Sequence, residues 1–135
     1  MANLDDYTSD KPDAEEACRR FGEGGRLVEI YNQDQVHFLQ NMLGLIEEEV
    51  YQDGWMEVWG WWIGLNDIET EGEWKWPSGT QADFTYWDVD YEEPYPDPTH
   101  EYNCVVMQSA VYQDLLWITT TCDDNWNTVP VCQLP

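Results

Sequence analysis

Apolar residues are densest in Trp59-Gly60-Trp61-Trp62-Ile63-Gly64-Leu65, which runs abruptly into Asn66-Asp67. Aromatic and β-branched crowding, with two glycines that let neighbouring backbone come close, predicts a buried strand that ends in a loop. Upstream the spacing is helical. Ser9 to Phe21 predicts a first helix, with Ser9 or Asp10 as cap and Pro12 in the first turn. Acidic Asp13, Glu15 and Glu16 stand near the positive end of its dipole, and Ala14, Cys18 and Phe21 share one face. Gly22, Gly24 and Gly25 stop it, and Leu27-Val28-Glu29-Ile30 alternates as a short strand does. A second helix is expected from the cap Asn32, turning Val36, Leu39 and Leu43 inward and fading within Ile46-Glu47-Glu48-Glu49-Val50.

Downstream of the apolar strand the pattern breaks into short pieces: Glu73-Trp74-Lys75-Trp76, a turn at Pro77-Ser78-Gly79, and Phe84-Thr85-Tyr86-Trp87. Asp88 to Asn103 combines six acidic residues with Pro94, Pro96 and Pro98, a composition unsuited to a sheet interior, and is expected to be a long ordered loop. Cys104-Val105-Val106-Met107, Asp114-Leu115-Leu116-Trp117 and Val129-Pro130-Val131-Cys132 read as closing strands. With 135 residues, 42% of them hydrophobic, and no shift of composition along the chain, one domain spanning residues 1–135 is expected.

Charge and cysteines narrow the partners. The formal net charge of −23, from 28 acidic against 5 basic residues, excludes a binder of nucleic-acid backbone, because that affinity comes from Lys and Arg. Such a surface keeps an aromatic-rich domain soluble, and it also attracts calcium, mineral faces or basic proteins. No run is long and apolar enough to span a membrane, and Met1 to Asp6 lacks the features of a signal peptide, so the sequence fits a cytosolic protein or a mature secreted one. The four cysteines, Cys18, Cys104, Cys122 and Cys132, form no C-x-x-C pair, so two disulfides and a secreted, extracellular location are the better reading. Spacing alone leaves three connectivities open. Only two histidines and three serines occur, without a G-x-S-x-G or H-E-x-x-H motif, so an enzyme is the least expected class. His37, beside the inward face of the second helix, is given no role.

Taken in order, two helices, Trp62-Ile63-Gly64-Leu65, Glu73-x-x-Trp76-x-x-Gly79, Phe84-x-x-Trp87, Glu93-Pro94, Cys104-Val105, Trp117 with Cys122 five residues on, and Cys132 resemble a C-type lectin-like domain from Tyr7 onward. The resemblance implies an α+β fold, with two helices flanking two small antiparallel sheets and a long loop. It implies the pairs Cys18–Cys132 and Cys104–Cys122, and burial of Trp62, Trp76, Trp87 and Trp117. This is the short form, with Tyr7 as the inward aromatic of any first strand.

The resemblance also implies a site. In sugar-binding members a loop triplet, a Glu before the third cysteine and an Asn-Asp pair after the Trp ligate a calcium that accepts two sugar hydroxyls, since Ca²⁺ takes six to eight hard oxygens. Here the triplet is Glu93-Pro94-Tyr95 or, in another register, Tyr95-Pro96-Asp97; Tyr102 stands two residues before Cys104, with Glu101 adjacent; and Ile118-Thr119 follows Trp117. The candidate sugar-contacting set is therefore Glu93, Tyr95, Asp97, Glu101, Tyr102 and Thr119. An auxiliary calcium site of the family maps better, onto Asp67 and Glu71 with Asp97, Glu101 and Asn103 as partners. Tyr91, Tyr95, Tyr102 and Trp117 offer a further route, in which aromatic faces stack on sugar rings. Trp55, Trp59 and Trp126 have no evident place in the core.

The leading expectation is a carbohydrate-binding module taking a glycan or monosaccharide, with calcium as cofactor at the auxiliary site. The alternative is a lectin-like protein whose acidic surface binds mineral, ice, a cationic surface or a protein; homo-oligomers are compatible with either. Bridges closing loops of these lengths contribute about 3 to 5 kcal/mol each, comparable with the stability of a whole small domain. Replacing either cysteine pair by serine is expected to leave little folded protein at 37 °C by circular dichroism. A cooperative melt as high as the parent's would contradict this.

Overall fold

The computed structural model describes residues 10–20, 24–52, 58–70, 72–88, 102–123 and 128–133, with backbone only at 50–52. In order these form α1 (Lys11–Arg20), β1 (Arg26–Leu27), α2 (Gln33–Gln52), β2 (Gly60–Asn66), β3 (Cys104–Gln108), α3 (Ala110–Gln113), β4 (Trp117–Thr120), β5 (Thr128–Pro130) and β6 (Cys132–Gln133). Two small sheets result. β1 pairs antiparallel with β6, and a four-stranded sheet runs β4-β3-β2-β5, antiparallel except for the parallel β2–β5 edge.

The helix starts are capped as their sequences imply. Asp10 accepts from the Asp13 amide at 3.0 Å and Asn32 from the Gln35 amide at 2.9 Å, each satisfying a donor that the first turn leaves orphaned. α2 continues through the stretch Ile46–Val50 in which it is expected to fade. Its inward row Val36, Leu39, Leu43 continues to Glu47, which is fully buried and hydrogen-bonded, and the helix runs on to Gln52.

β2 lies inside the sheet and buries every residue from Gly60 to Leu65. Its side chains alternate between two clusters: Trp61, Ile63 and Leu65 enter the larger with Trp74, Trp76, Trp117 and the α2 row, while Trp62 packs with Ala14, Cys18, Leu27, Val106 and Ile118. Both bridges are those the family resemblance implies, Cys18–Cys132 and Cys104–Cys122, each with Cα atoms 5.2 Å apart. The first joins α1 to β6 and the second ties the start of β3 to the chain after β4.

Three expected strands differ. Leu27–Ile30 contributes only Leu27 to regular pairing, although Val28 still donates to Val131 O. Asp114–Trp117 becomes a turn, because Asp114 and Leu115 adopt φ values of 55° and 62°, so the strand starts at Trp117. That left-handed pair is held by the full burial of Leu115 and by Gln40 Nε2 donating to Asp114 O at 2.8 Å. Val129–Cys132 is divided between two sheets at Val131. Trp62, Trp76 and Trp117 are buried; Trp87 is half-buried and meets both Trp74 and Trp117 edge to face. Trp59 is half-buried against the smaller cluster. Tyr7, Phe21, Trp55 and Trp126 lie outside the described residues.

Gly64 shows why the strand motif carries a glycine. A Cβ there would stand 2.5 Å from Pro77 Cδ and 3.3 Å from Leu27 O, and the proline ring cannot swing away as a flexible side chain could. Gly64→Ala is expected to destabilise the domain by roughly 1 to 3 kcal/mol in urea unfolding, the range for overpacking a tight core. An unchanged midpoint would contradict the close packing of β2 on Pro77.

Candidate functional site

The exit of β2 is built by short-range polar bonds. Asn66 pairs in both directions with Lys75, its amide donating at 3.1 Å and its carbonyl accepting at 2.9 Å, while its register partner on β3 is Cys104. Its side-chain oxygen accepts from the Ile68 amide at 3.1 Å, turning the chain out of the sheet. Asp67 follows, with 2% of its surface exposed. Its amide donates to Asn103 O at 3.1 Å, and its Oδ2 accepts from the Gly72 amide at 2.9 Å, closing a turn in which Gly72 takes φ +84°. Asp67 and Asn103, far apart in the chain, thus meet beside the Cys104–Cys122 bridge.

The remaining predicted site residues are distributed as follows. Tyr102 is half-buried next to Asn103. Thr119 sits in β4 opposite Val105 with 7% exposure, and Ile118 before it is buried in the smaller cluster. Trp117 is fully buried, ringed edge to face by Trp76, Phe84 and Trp87, so it offers no face to a sugar. Glu71, Tyr91, Glu93, Tyr95, Asp97 and Glu101 lie outside the described residues, as does all of 89–101 between its two flanks. Those flanks are fixed. Asp88 donates its amide to Trp117 O at 2.9 Å and accepts from Gln108 Nε2 at 2.7 Å, at the end of β3 opposite to Tyr102 and Asn103.

Asp67 and Asn103 carry oxygen donors of the hard type that calcium prefers. Among the described residues, however, no group of three or more His, Cys, Asp or Glu stands close enough to hold a metal.

Buried charges around this frame escaped sequence reasoning. Lys11 is 2% exposed, and its Nζ donates to Gly64 O and Leu65 O, both at 3.3 Å, at the last turn before the rim. Burial lowers its pKa from 10.5 to about 8, with Glu15 pulling the other way. A signal existed: Lys11 precedes Ala14 by three and Cys18 by seven, the spacing of one helix face. Glu47 likewise falls four after Leu43. It accepts from Trp61 Nε1 at 2.8 Å, Ser109 Oγ at 2.5 Å and the Ala110 amide at 2.6 Å, joining α2, β2 and the start of α3. Glu29 accepts from Tyr31 Oη and from the Ser78 amide at 2.9 Å, holding the Pro77 turn in place.

A family model described as the lectin C-type domain matches residues 8–133. The C-type mannose receptor 2 of Homo sapiens is 28% identical over 128 residues, which are 90% of this chain and 8% of the receptor. The chain therefore spans less than a tenth of the length of that curated relative. Among solved structures, the mouse scavenger receptor C-type lectin carbohydrate-recognition domain aligns with a TM-score of 0.65 at 22% identity, over 93% of this chain and 80% of that one. Ovocleidin-17, a major protein of the Gallus gallus eggshell calcified layer, aligns with a TM-score of 0.69 at 22% identity, over 93% and 84%. The two neighbours agree in fold.

Lys11 supplies a pH test of the rim's support. Its folded pKa lies below the unfolded value, so between pH 8 and 10.5 the unfolded chain holds the extra proton and stability rises with pH. Subtracting the urea stability of Lys11→Met from that of the parent isolates this group. The difference is expected to climb across that window by roughly 3 kcal/mol at most. A flat difference would show the amine to be solvated.

Proposed function

Because the chain belongs to the lectin C-type domain family, we propose that it is an extracellular carbohydrate-binding module whose calcium steadies the acidic loop rather than bridging to the sugar. The pairing of the Asp67 amide with Asn103 O carries this reading, since it brings two of the five auxiliary-site residues to one point from distant parts of the chain. Asp67 and Asn103 would hold the ion together with Glu71, Asp97 and Glu101. Calcium held there would supply a positive charge against the acidic loop beside the end of β2. Hydroxyl recognition then falls to Glu93, Tyr95, Asp97, Glu101 and Tyr102, whose carboxylates and phenols accept and donate hydrogen bonds to sugar hydroxyls. Thr119 adds to this set only if its hydroxyl is reached at the sheet edge, because its residue is 7% exposed.

A second reading has its own support. Ile118, which follows Trp117 where sugar-binding members carry a calcium ligand, is an apolar residue with 2% exposure. An acidic surface of net charge −23 on that frame suits a mineral face or cationic protein.

Millimolar calcium is expected to raise the melting temperature, and Asp67→Asn to abolish the rise; calcium at 100 times its Kd stabilises by about 2.7 kcal/mol. A glycan panel read with and without calcium separates the two functions. Binding that survives chelation with reduced affinity supports the carbohydrate reading. An empty panel in both conditions removes it in favour of the acidic surface, and no thermal shift removes the calcium.

A further inference from the structure

Helix α2 has two apolar faces. Val36, Leu39 and Leu43 are buried in the core. On the opposite side Phe38, Met42, Leu45 and Ile46 follow at steps of four, three and one, a continuous helical stripe, and are 64%, 37%, 69% and 42% exposed. Val111 of α3, itself exposed, stands beside Leu45 where the two helices adjoin. Between the two helices lies an open groove of about 530 Å³, lined by Gln40, Asn41, Gly44, Leu45, Ala110 and Val111. Gly44 keeps its floor low, for a Cβ there would meet no atom within 4 Å.

The charge around this surface has one sign. Asp34, Glu48 and Glu49 are exposed along α2, whose sequence contains neither Lys nor Arg. A second copy of the chain would set these acids against their own kind, on molecules that each carry −23. A partner with basic residues beside apolar ones matches both properties at once.

We infer that the α2–α3 face docks a cationic amphipathic helix of a protein partner. Its apolar anchors enter the groove over Gly44 and lie against Phe38 and Leu45, and its Lys or Arg residues pair with Asp34, Glu48 and Glu49. The face stands at the Gln108 end of β3, away from the Asp67–Asn103 rim at the Cys104 end, so the two sites act independently.

The test is calorimetric titration of the whole chain with a synthetic Leu/Lys amphipathic helix and with a scrambled peptide of identical composition. The amphipathic peptide is expected to bind at least tenfold more tightly than the scrambled one, and more weakly as salt rises. Leu45→Ser, at a mostly exposed position, and Gly44→Gln, which fills the groove without a clash, are each expected to erase that tenfold advantage. Leu45→Ser should leave the thermal melt unchanged, Gly44→Gln should raise it slightly by removing an interior helix glycine, and both should keep the calcium response. Equal affinity for the two peptides would mean attraction by charge alone and would overturn the proposal. So would an advantage that survives both substitutions, or sedimentation showing dimers that Leu45→Ser disperses.

Discussion

The structure depends on burying β2 without leaving its polar backbone unpaired. A strand buried along Gly60–Leu65 can persist only if neighbours on every side approach closely and satisfy its peptide groups. β3 and β5 pair along its edges near Gly60–Trp62. Past Trp62 the β2–β3 register shifts and the regular β5 ladder has ended, so other groups take over. The Gly64 amide donates to Val28 O, and the Gly64 and Leu65 carbonyls accept from Lys11 Nζ. A buried ammonium is costly, which its lowered pKa reflects, but two orphaned buried carbonyls would be costly as well.

Glu47 and Glu29 act in the same way on either side of the strand. Glu47 receives the Trp61 indole N–H, which enters the larger cluster from β2, and in addition holds Ser109 and the first amide of α3. Glu29 receives the Ser78 amide and the Tyr31 hydroxyl beside the Pro77 turn that packs on Gly64. Each buried carboxylate thus joins segments remote in sequence through hydrogen bonds that pair its oxygens. Removing one partner would leave part of that buried hydrogen-bonding capacity unmet.

How legible all this was depends on the range of the interaction. Caps at Asp10 and Asn32, the β2 strand and the buried Trp62, Trp76 and Trp117 follow from local pattern or family motif, and the structure has them. The disulfide pairs came from the resemblance, because spacing alone left three choices. Lys11 and Glu47 stand at core spacing on their helices, but residue type argues for the surface, and for these two as for Glu29 the tertiary partners decide the outcome. The turn at Asp114–Leu115 was hidden for a similar reason: Leu-Leu-Trp suits a strand, but burial of Leu115 and the bond from Gln40 hold a left-handed backbone there. At the site, the Asp67 amide bonds Asn103 O, whereas Ile118 and Trp117 belong to the core.

The central claim is that the rim bearing Asp67 is an extension of the β2 core, held by the scaffold before any ion or ligand arrives. Native-state hydrogen exchange in chelator measures it at one amide. The Asp67 N–H, bonded to Asn103 O, is predicted to exchange only through global unfolding, with the same free energy of opening as the Gly64 amide. Exchange of Asp67 within seconds, while Gly64 stays protected, would contradict the account and make the rim a product of calcium binding.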